Sequence, residues 1–240
     1  MAILSPLAVR FLTPHLIIKG VSTVLQVDIE REGSAVSLES AKTLTVYKAD
    51  GSSPAGSPYT ASLSGTTLSA TIPPSDTSSL TVSGKWMVKW GFEVSSDRVY
   101  SPTNAAALCV TDLQCPVGVT DLTDRHSQMS TLLAGAAGVQ TKITQAWGEL
   151  LSRMYADETP FWSLRTSGAL RPWLIERSKQ LCFEDMATAH PSGAIYQTQA
   201  DRAGDKLEGL YNSLKVRMDD DQNNTLTARS VPVFDPRNVS

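Results

Sequence analysis

Hydrophobic and polar positions follow two different rhythms along this chain. In "TVLQVDIERE", Val24, Gln26 and Asp28 fall on one side, while Leu25, Val27 and Ile29 fall on the other. Successive side chains of a strand point to opposite faces, so the alternation predicts a half-buried strand. "KTLTVYKADG" follows and closes on a turn signal. "YTASLSGTTLSATIP" has two alternating runs around Ser64 and Gly65, the pattern of a hairpin. "GKWMVKWGFEVSSDRVYSPTNAAALCV" predicts two more strands, with a turn near Ser95, Ser96 and Asp97. Short strands with regular turn signals predict an N-terminal antiparallel β-sandwich, immunoglobulin-like, of six to seven strands. It covers residues 16–112, after an N-terminal segment at 1–15.

The rhythm changes beyond residues 113–120. This linker lies within "VTDLQCPVGVTDLTDRH", where Pro116, Gly118 and Thr/Asp pairs supply turns and helix caps. In "TQAWGELLSRMYADE", Trp147, Leu150, Leu151, Met154 and Tyr155 recur at steps of three, one, three and one, one stripe of a helix. Pro160, Phe161 and Trp162 end it. A second helix is expected from about Leu170 to just before Pro191, with Pro172 in its first turn, where a missing N–H costs little. "GAIYQTQADRAGDKLEGLYNSL", from Gly193, opens a third helix striped by Tyr196, Ala200, Ala203, Leu207, Leu210, Tyr211 and Leu214. It is expected to run to Met218 and stop near Asp219, because Asp219, Asp220 and Asp221 oppose the macrodipole at a C-terminal end. Residues 121–222 therefore read as an α-helical bundle and 223–240 as an extended C-terminal arm. The fold class is α+β.

Composition narrows the function by exclusion. With 41% hydrophobic and 19% charged residues and a net charge of −3, the chain has no global basic field for nucleic acid or membrane. No apolar run is long enough to span a bilayer, and no signal peptide is expected at the start. The three cysteines, Cys109, Cys115 and Cys182, form no CxxC pair and are expected to be idle thiols. Synthesis in a reducing cytoplasm fits that usage. Between Gly51 and Ser83 sixteen residues are Ser or Thr and only Asp76 is charged. Such a stretch suits either solvated strands or a surface packed against other copies.

Catalytic motifs are not found. His15, His126 and His190 lack metal-ligand spacing, and no HExxH, GxSxG or phosphate-loop pattern occurs. Asp121, Asp124 and His126 lie close in sequence, but Asp121 or Thr123 is expected to cap a helix. Cys182, Glu184, Asp185 and His190 are spread around a helix. "MDDDQNN" lacks the glycine and closing glutamate of a calcium loop. Trp86 and Trp90 share a strand face, for core or interface packing, with a sugar platform as the other reading. No cofactor, metal or enzymatic role is expected. In the tail, Val231, Val233 and Phe234, with Arg229 and Arg237, read either as a disordered terminus or as an arm that orders on a partner.

Short helices after a Thr/Asp boundary, "RPWLIERSKQLCFEDMA", a break at "HPSG", "YQTQADRAGDKLEGLYNSLKVRMDDD" and an irregular tail resemble the head–tail connector (adaptor or head-completion) proteins of tailed bacteriophages. The resemblance covers about half the chain, from Val119 to Ser240. It implies a structural virion protein in the neck, made in the host cytoplasm. It also implies a homo-oligomeric ring, commonly of twelve copies, between the portal protein and the neck and tail proteins, with double-stranded DNA only in passing and no membrane. On this view the arm, with Arg229, Val231, Val233, Phe234 and Arg237, contacts the portal. Trp147, Trp173, Leu207, Leu210, Tyr211 and Leu214 pack within or between protomers. Asp219, Asp220 and Asp221 could line the lumen and repel DNA phosphate. The alternative is a β-sandwich binding module of a tail, baseplate or capsid decoration protein that recognises a surface or carbohydrate.

Overall fold

A computed structural model describes residues 8–9, 14–31, 34–35, 42–94, 97–101, 103–218 and 227–230. The protein is mixed α/β and divides into two compact units, residues 1–112 and 113–240.

Among the described residues the first unit holds ten strands: β1 (Ala8–Val9), β2 (His15–Ile18), β3 (Thr23–Arg31), β4 (Ser34–Ala35), β5 (Thr43–Tyr47), β6 (Tyr59–Ser64), β7 (Thr67–Ile72), β8 (Ser83–Val94), β9 (Asp97–Tyr100) and β10 (Asn104–Cys109). The main path runs through seven of them in the order β3-β7-β6-β5-β8-β10-β2. β1 and β4 add short edges to β3, and β9 pairs with β8. Neighbours on the path are antiparallel, save β10 and β2, which run parallel with Ala106 opposite His15. The two ends of the path, β2 and β3, are joined by the tight turn at Lys19–Ser22. There the Ile18 N–H donates to Thr23 Oγ1 at 3.0 Å, and the Gly20 N–H donates to Thr77 Oγ1 at 3.0 Å. The sheet is therefore nearly barrel-like.

Alternation places the core as expected. Leu25, Val27 and Ile29 are buried while Val24 is 54% exposed. The hairpin closes with Ser64 opposite Thr67, and Gly65 takes φ +61° at the first loop position, as a type II′ turn requires. Trp86, Val88, Trp90 and Phe92 of β8 all face inward. The two strands expected between Gly84 and Val110 are three. The returning strand breaks at Ser101, whose Oγ accepts the Trp90 N–H at 2.9 Å while its own N–H donates to the Trp90 carbonyl at 2.8 Å. A β-bulge shifts the register of β8 against β10. Ser83 to Trp86 on β8 opposes Leu108 to Ala106 on β10, and the extra residue is absorbed where Lys85 adopts φ +63°.

The second unit holds α1 (Val119–Thr123), α2 (Gln128–Leu132), α3 (Gly135–Ala156), α4 (Arg171–Ala189), α5 (Gly193–Asn212), β11 (Lys215–Met218) and β12 (Thr227–Ser230). α3 buries Ile143, Ala146, Leu150 and Met154, extending the expected stripe by two turns toward its start. α4 stops at Ala189 because His190 precedes a proline and takes an extended ψ of 142°. α4 and α5 form an antiparallel hairpin whose core includes Leu181, Met186, Ala200 and Ala203.

The last helix is shorter than expected. It ends at Asn212, and Lys215–Met218 forms a strand paired antiparallel with Thr227–Ser230. β-branched Val216 and Thr227 favour extended backbone, and the ladder satisfies groups that a frayed helix end would leave to water. Ending at Asn212 also keeps the three aspartates off the negative end of the helix dipole. Part of the expected arm is thus a paired strand. Arg229 lies in it, opposite Val216.

Candidate functional site

The sequence-derived sites meet different fates. Trp86 and Trp90 are 2% and 0% exposed, so they form no sugar platform; the Trp86 indole donates to Ser83 Oγ at 2.9 Å. Asp121 works as a cap: it accepts the Gly118 N–H at 2.9 Å. That bond, and then Arg171 beside it, hold its carboxyl below the usual range against a weaker desolvation effect. His126 packs edge-on against Phe183 at 5.3 Å. Burial and then Lys179 lower its pKa. Glu184 accepts from Gln180, Asp185 pairs with Lys142 at 2.5 Å, and His190 Nδ1 accepts the Ser192 N–H. The "CFEDMATAH" residues are therefore dispersed. Among the described residues no His, Cys, Asp and Glu cluster could hold a metal ion, and no helix is long and apolar enough to cross a membrane.

Of the packing residues, Trp173, Tyr211 and Leu214 are buried, at 4%, 2% and 4% exposure. Trp147, Leu207 and Leu210 are only half-buried. Asp219, Asp220, Asp221, Val231, Val233, Phe234 and Arg237 lie outside the described residues.

Sequence reasoning missed a groove of about 520 Å³ in the helical unit. Helical spacing builds it. Arg171, Ile175 and Lys179 stand four apart on α4 and share a face, and Lys206 and Leu210 do the same on α5. Arg125, from the link between α1 and α2, supplies a further wall. Pro172, Ile175 and Leu210 give the groove apolar surface, while Arg125, Arg171, Lys179 and Lys206 line it with positive charge.

Two carboxylates balance part of that charge. Arg171 Nη2 reaches Asp121 Oδ1 at 2.5 Å. Glu176 is shared: Lys179 Nζ lies 2.8 Å from one oxygen and Lys206 Nζ 3.1 Å from the other. Burial tends to raise the Glu176 pKa, but the bonds from Lys179 and Lys206 outweigh it and the carboxyl ends below its ordinary range. Arg125 has no ion pair among the described residues and is exposed. Four cations against two carboxylates leave an excess of two positive charges facing solvent. The arrangement can hold an anionic group that also carries apolar atoms.

Neither the protein-family models nor the curated proteins compared with this chain match it. The two four-residue spacings were the sequence signal for the groove. They were hidden because each helix shows only two or three of its residues, and Arg125 comes from a separate segment.

Proposed function

We propose that the chain is a structural assembly subunit, and specifically a head–tail connector of a tailed phage. It would form a ring of copies in the virion neck between portal and tail, through which DNA passes. The observation that carries this reading is the unfinished seam of α5. The helix packs on α4 through Ala200 and Ala203, yet Leu207 and Leu210 are only half-buried, as are Ile175 on α4 and Trp147 on α3. Apolar surface left uncovered by a chain's own fold is what a neighbouring subunit covers.

The order of elements supports the same reading. Short helices lead into a long α3, an antiparallel α4–α5 pair and an extended C-terminal segment. We further read the strand-rich unit as an immunoglobulin-like sandwich. β3, β7 and β6 would form one layer and β2, β10, β8 and β5 the other. The parallel β2–β10 pair supports this, as does the junction between β5 and β6, which rests on only two residue pairs, Thr43–Thr60 and Leu44–Tyr59. In this reading the sandwich decorates a ring built by the helical unit.

Co-sedimentation of the purified chain with portal rings of the same phage tests the proposal. The full chain is expected in the portal fraction, and a chain ending at Ser230, which lacks Val231, Val233, Phe234 and Arg237, is expected to be lost from it. Absence of the full chain from that fraction at micromolar concentration sinks the connector reading. Equal binding by both chains removes the arm from it.

A further inference from the structure

We propose that the cation-lined groove receives the acidic run Asp219–Asp221 of a second copy of the chain. This deepens the connector reading and rests on its ring of copies. Charge complementarity selects an acidic run as the occupant, and its supply by a second copy rests on the ring of the connector reading. The groove holds an excess of two positive charges, and its exposed Arg125 and Lys206 face outward; the Lys206 side chain is 60% exposed. Three consecutive aspartates, flanked by Met218 and followed by Leu226, bring both carboxylates and apolar side chains. Pro172, Ile175 and Leu210 offer the matching apolar surface.

Competing occupants fit less well. Among the described residues no aromatic side chain lines the groove, so single-stranded nucleic acid would find cations but no stacking platform there. A free phosphate is best held where helix N–H groups converge, yet the second residue of α4 is Pro172, which has no N–H. The cations come from three separate segments and surround apolar atoms, which suits a peptide.

The contact is heterologous, since the groove and the acidic run are different segments of one chain. Each copy offers one of each, so contacts propagate from copy to copy and close when the rotation returns to the start. This role takes the place of the lumen position expected from the sequence.

A charge-swap experiment tests it on the full-length chain, by sedimentation velocity over a concentration series at low salt. One variant carries Arg125→Glu and Lys206→Glu. The other carries Asp219→Lys, Asp220→Lys and Asp221→Lys. All five substitutions are at exposed groove positions or in the segment between β11 and β12, and circular dichroism checks that both variants fold. The native chain is expected to self-associate, more weakly as salt rises. Each variant alone is expected to associate at least about tenfold more weakly, a loss of about 1.4 kcal/mol. An equimolar mixture should recover association, because each variant's groove then matches the other's run. At matched ionic strength, a synthetic peptide of residues 216–226, VRMDDDQNNTL, should inhibit native association, whereas the same peptide with Asn for each Asp, inorganic phosphate and a DNA duplex should not.

A native chain that stays monomeric, a variant that associates like the native chain, or a mixture that fails to recover overturns the proposal. Inhibition by phosphate or DNA alone also overturns it. The portal assay separates the two readings. Variants that bind portal rings while the mixture fails leave the connector standing without this contact. A recovering mixture with no portal binding leaves the contact standing without the connector.

Discussion

The guanidinium carbon of Arg153 lies 3.7 Å from the centroid of the Tyr211 ring, fastening the end of α3 to the end of α5. Around this stack, the Tyr211 hydroxyl donates to Asp157 Oδ2 at 2.7 Å, and Arg153 Nη2 donates to both oxygens of Glu208 at 3.1 and 2.9 Å. Tyr211 is 2% exposed, whereas the Asp157 carboxylate that accepts its bond is open to water. Tyr211→Phe is expected to destabilise the helical unit by about 0.5–1.5 kcal/mol, because it removes the hydroxyl's bond to Asp157, whose carboxylate keeps water and Arg153 at 3.7 Å. Arg153→Ala should cost about 0.5–1 kcal/mol, since its charge is more exposed. In a double-mutant cycle by urea unfolding, the two losses should be non-additive. Strict additivity would mean that the stack and the Asp157 bond act independently.

Three glycines in helices separate close approach from idle flexibility. A Cβ at Gly138 would collide with the backbone carbonyl of Leu133, and one at Gly193 with that of Ala187, and backbone cannot swing aside as a side chain can. Gly138→Ala and Gly193→Ala should each cost more than about 2 kcal/mol. At Gly209 a Cβ would meet nothing within 4 Å. Gly209→Ala should therefore stabilise α5 by about 0.5–1 kcal/mol. Unfolding midpoints of the three variants give the order directly, and a destabilised Gly209→Ala would contradict it.

Much of this architecture was legible in the sequence where one local pattern determined it. Leu25, Val27 and Ile29 declared the inward face of β3, and Pro191 declared the end of α4. Legibility failed where distant residues decide. Near Leu214 only Val216 leans toward extended backbone, too little to announce that Lys215–Met218 will leave the helix, because the partner Thr227–Ser230 lies beyond the acidic run. The break at Ser101 depends on hydrogen bonds to Trp90, eleven positions away. The groove joins Arg125 to Lys206 across most of the helical unit, and only the folded α4–α5 hairpin brings Glu176 under both Lys179 and Lys206.

Acid sensitivity should enter through histidine. Burial lowers the His15 pKa from 6.5 to about 4. The unfolded chain then takes up a proton at a pH where the folded chain does not. The stability linked to His15 is complete above about pH 6.5, falls as the pH drops toward about 4, and levels off below that. The full difference is about 3 kcal/mol. His126, lowered by burial and Lys179, acts in the same direction. Urea unfolding between pH 7 and pH 4, followed through the tryptophans of the strand-rich unit, should show this slope, and His15→Gln should flatten it. An unchanged slope would place the sensitivity elsewhere.

Thiol chemistry should divide the cysteines by burial. Burial raises the Cys109 and Cys182 thiols to about 12, for Cys182 against a weaker opposing effect of Lys142, and both side chains are fully buried. Cys115 is half-buried, and burial raises its thiol above the ordinary value. The thiolate is the reacting species, so the folded chain should take iodoacetamide slowly and on Cys115 alone, whereas the unfolded chain should take it on all three cysteines. Peptide mass mapping reads the sites. The same burial predicts that no disulfide through Cys109 or Cys182 joins copies, so with Cys115→Ser any ring of copies should keep its mass with and without reductant. Labelling of Cys109 or Cys182 at the Cys115 rate in the folded chain, or a Cys115→Ser ring that dissociates on reduction, would show that the unit holding that cysteine opens far more readily than its packing implies.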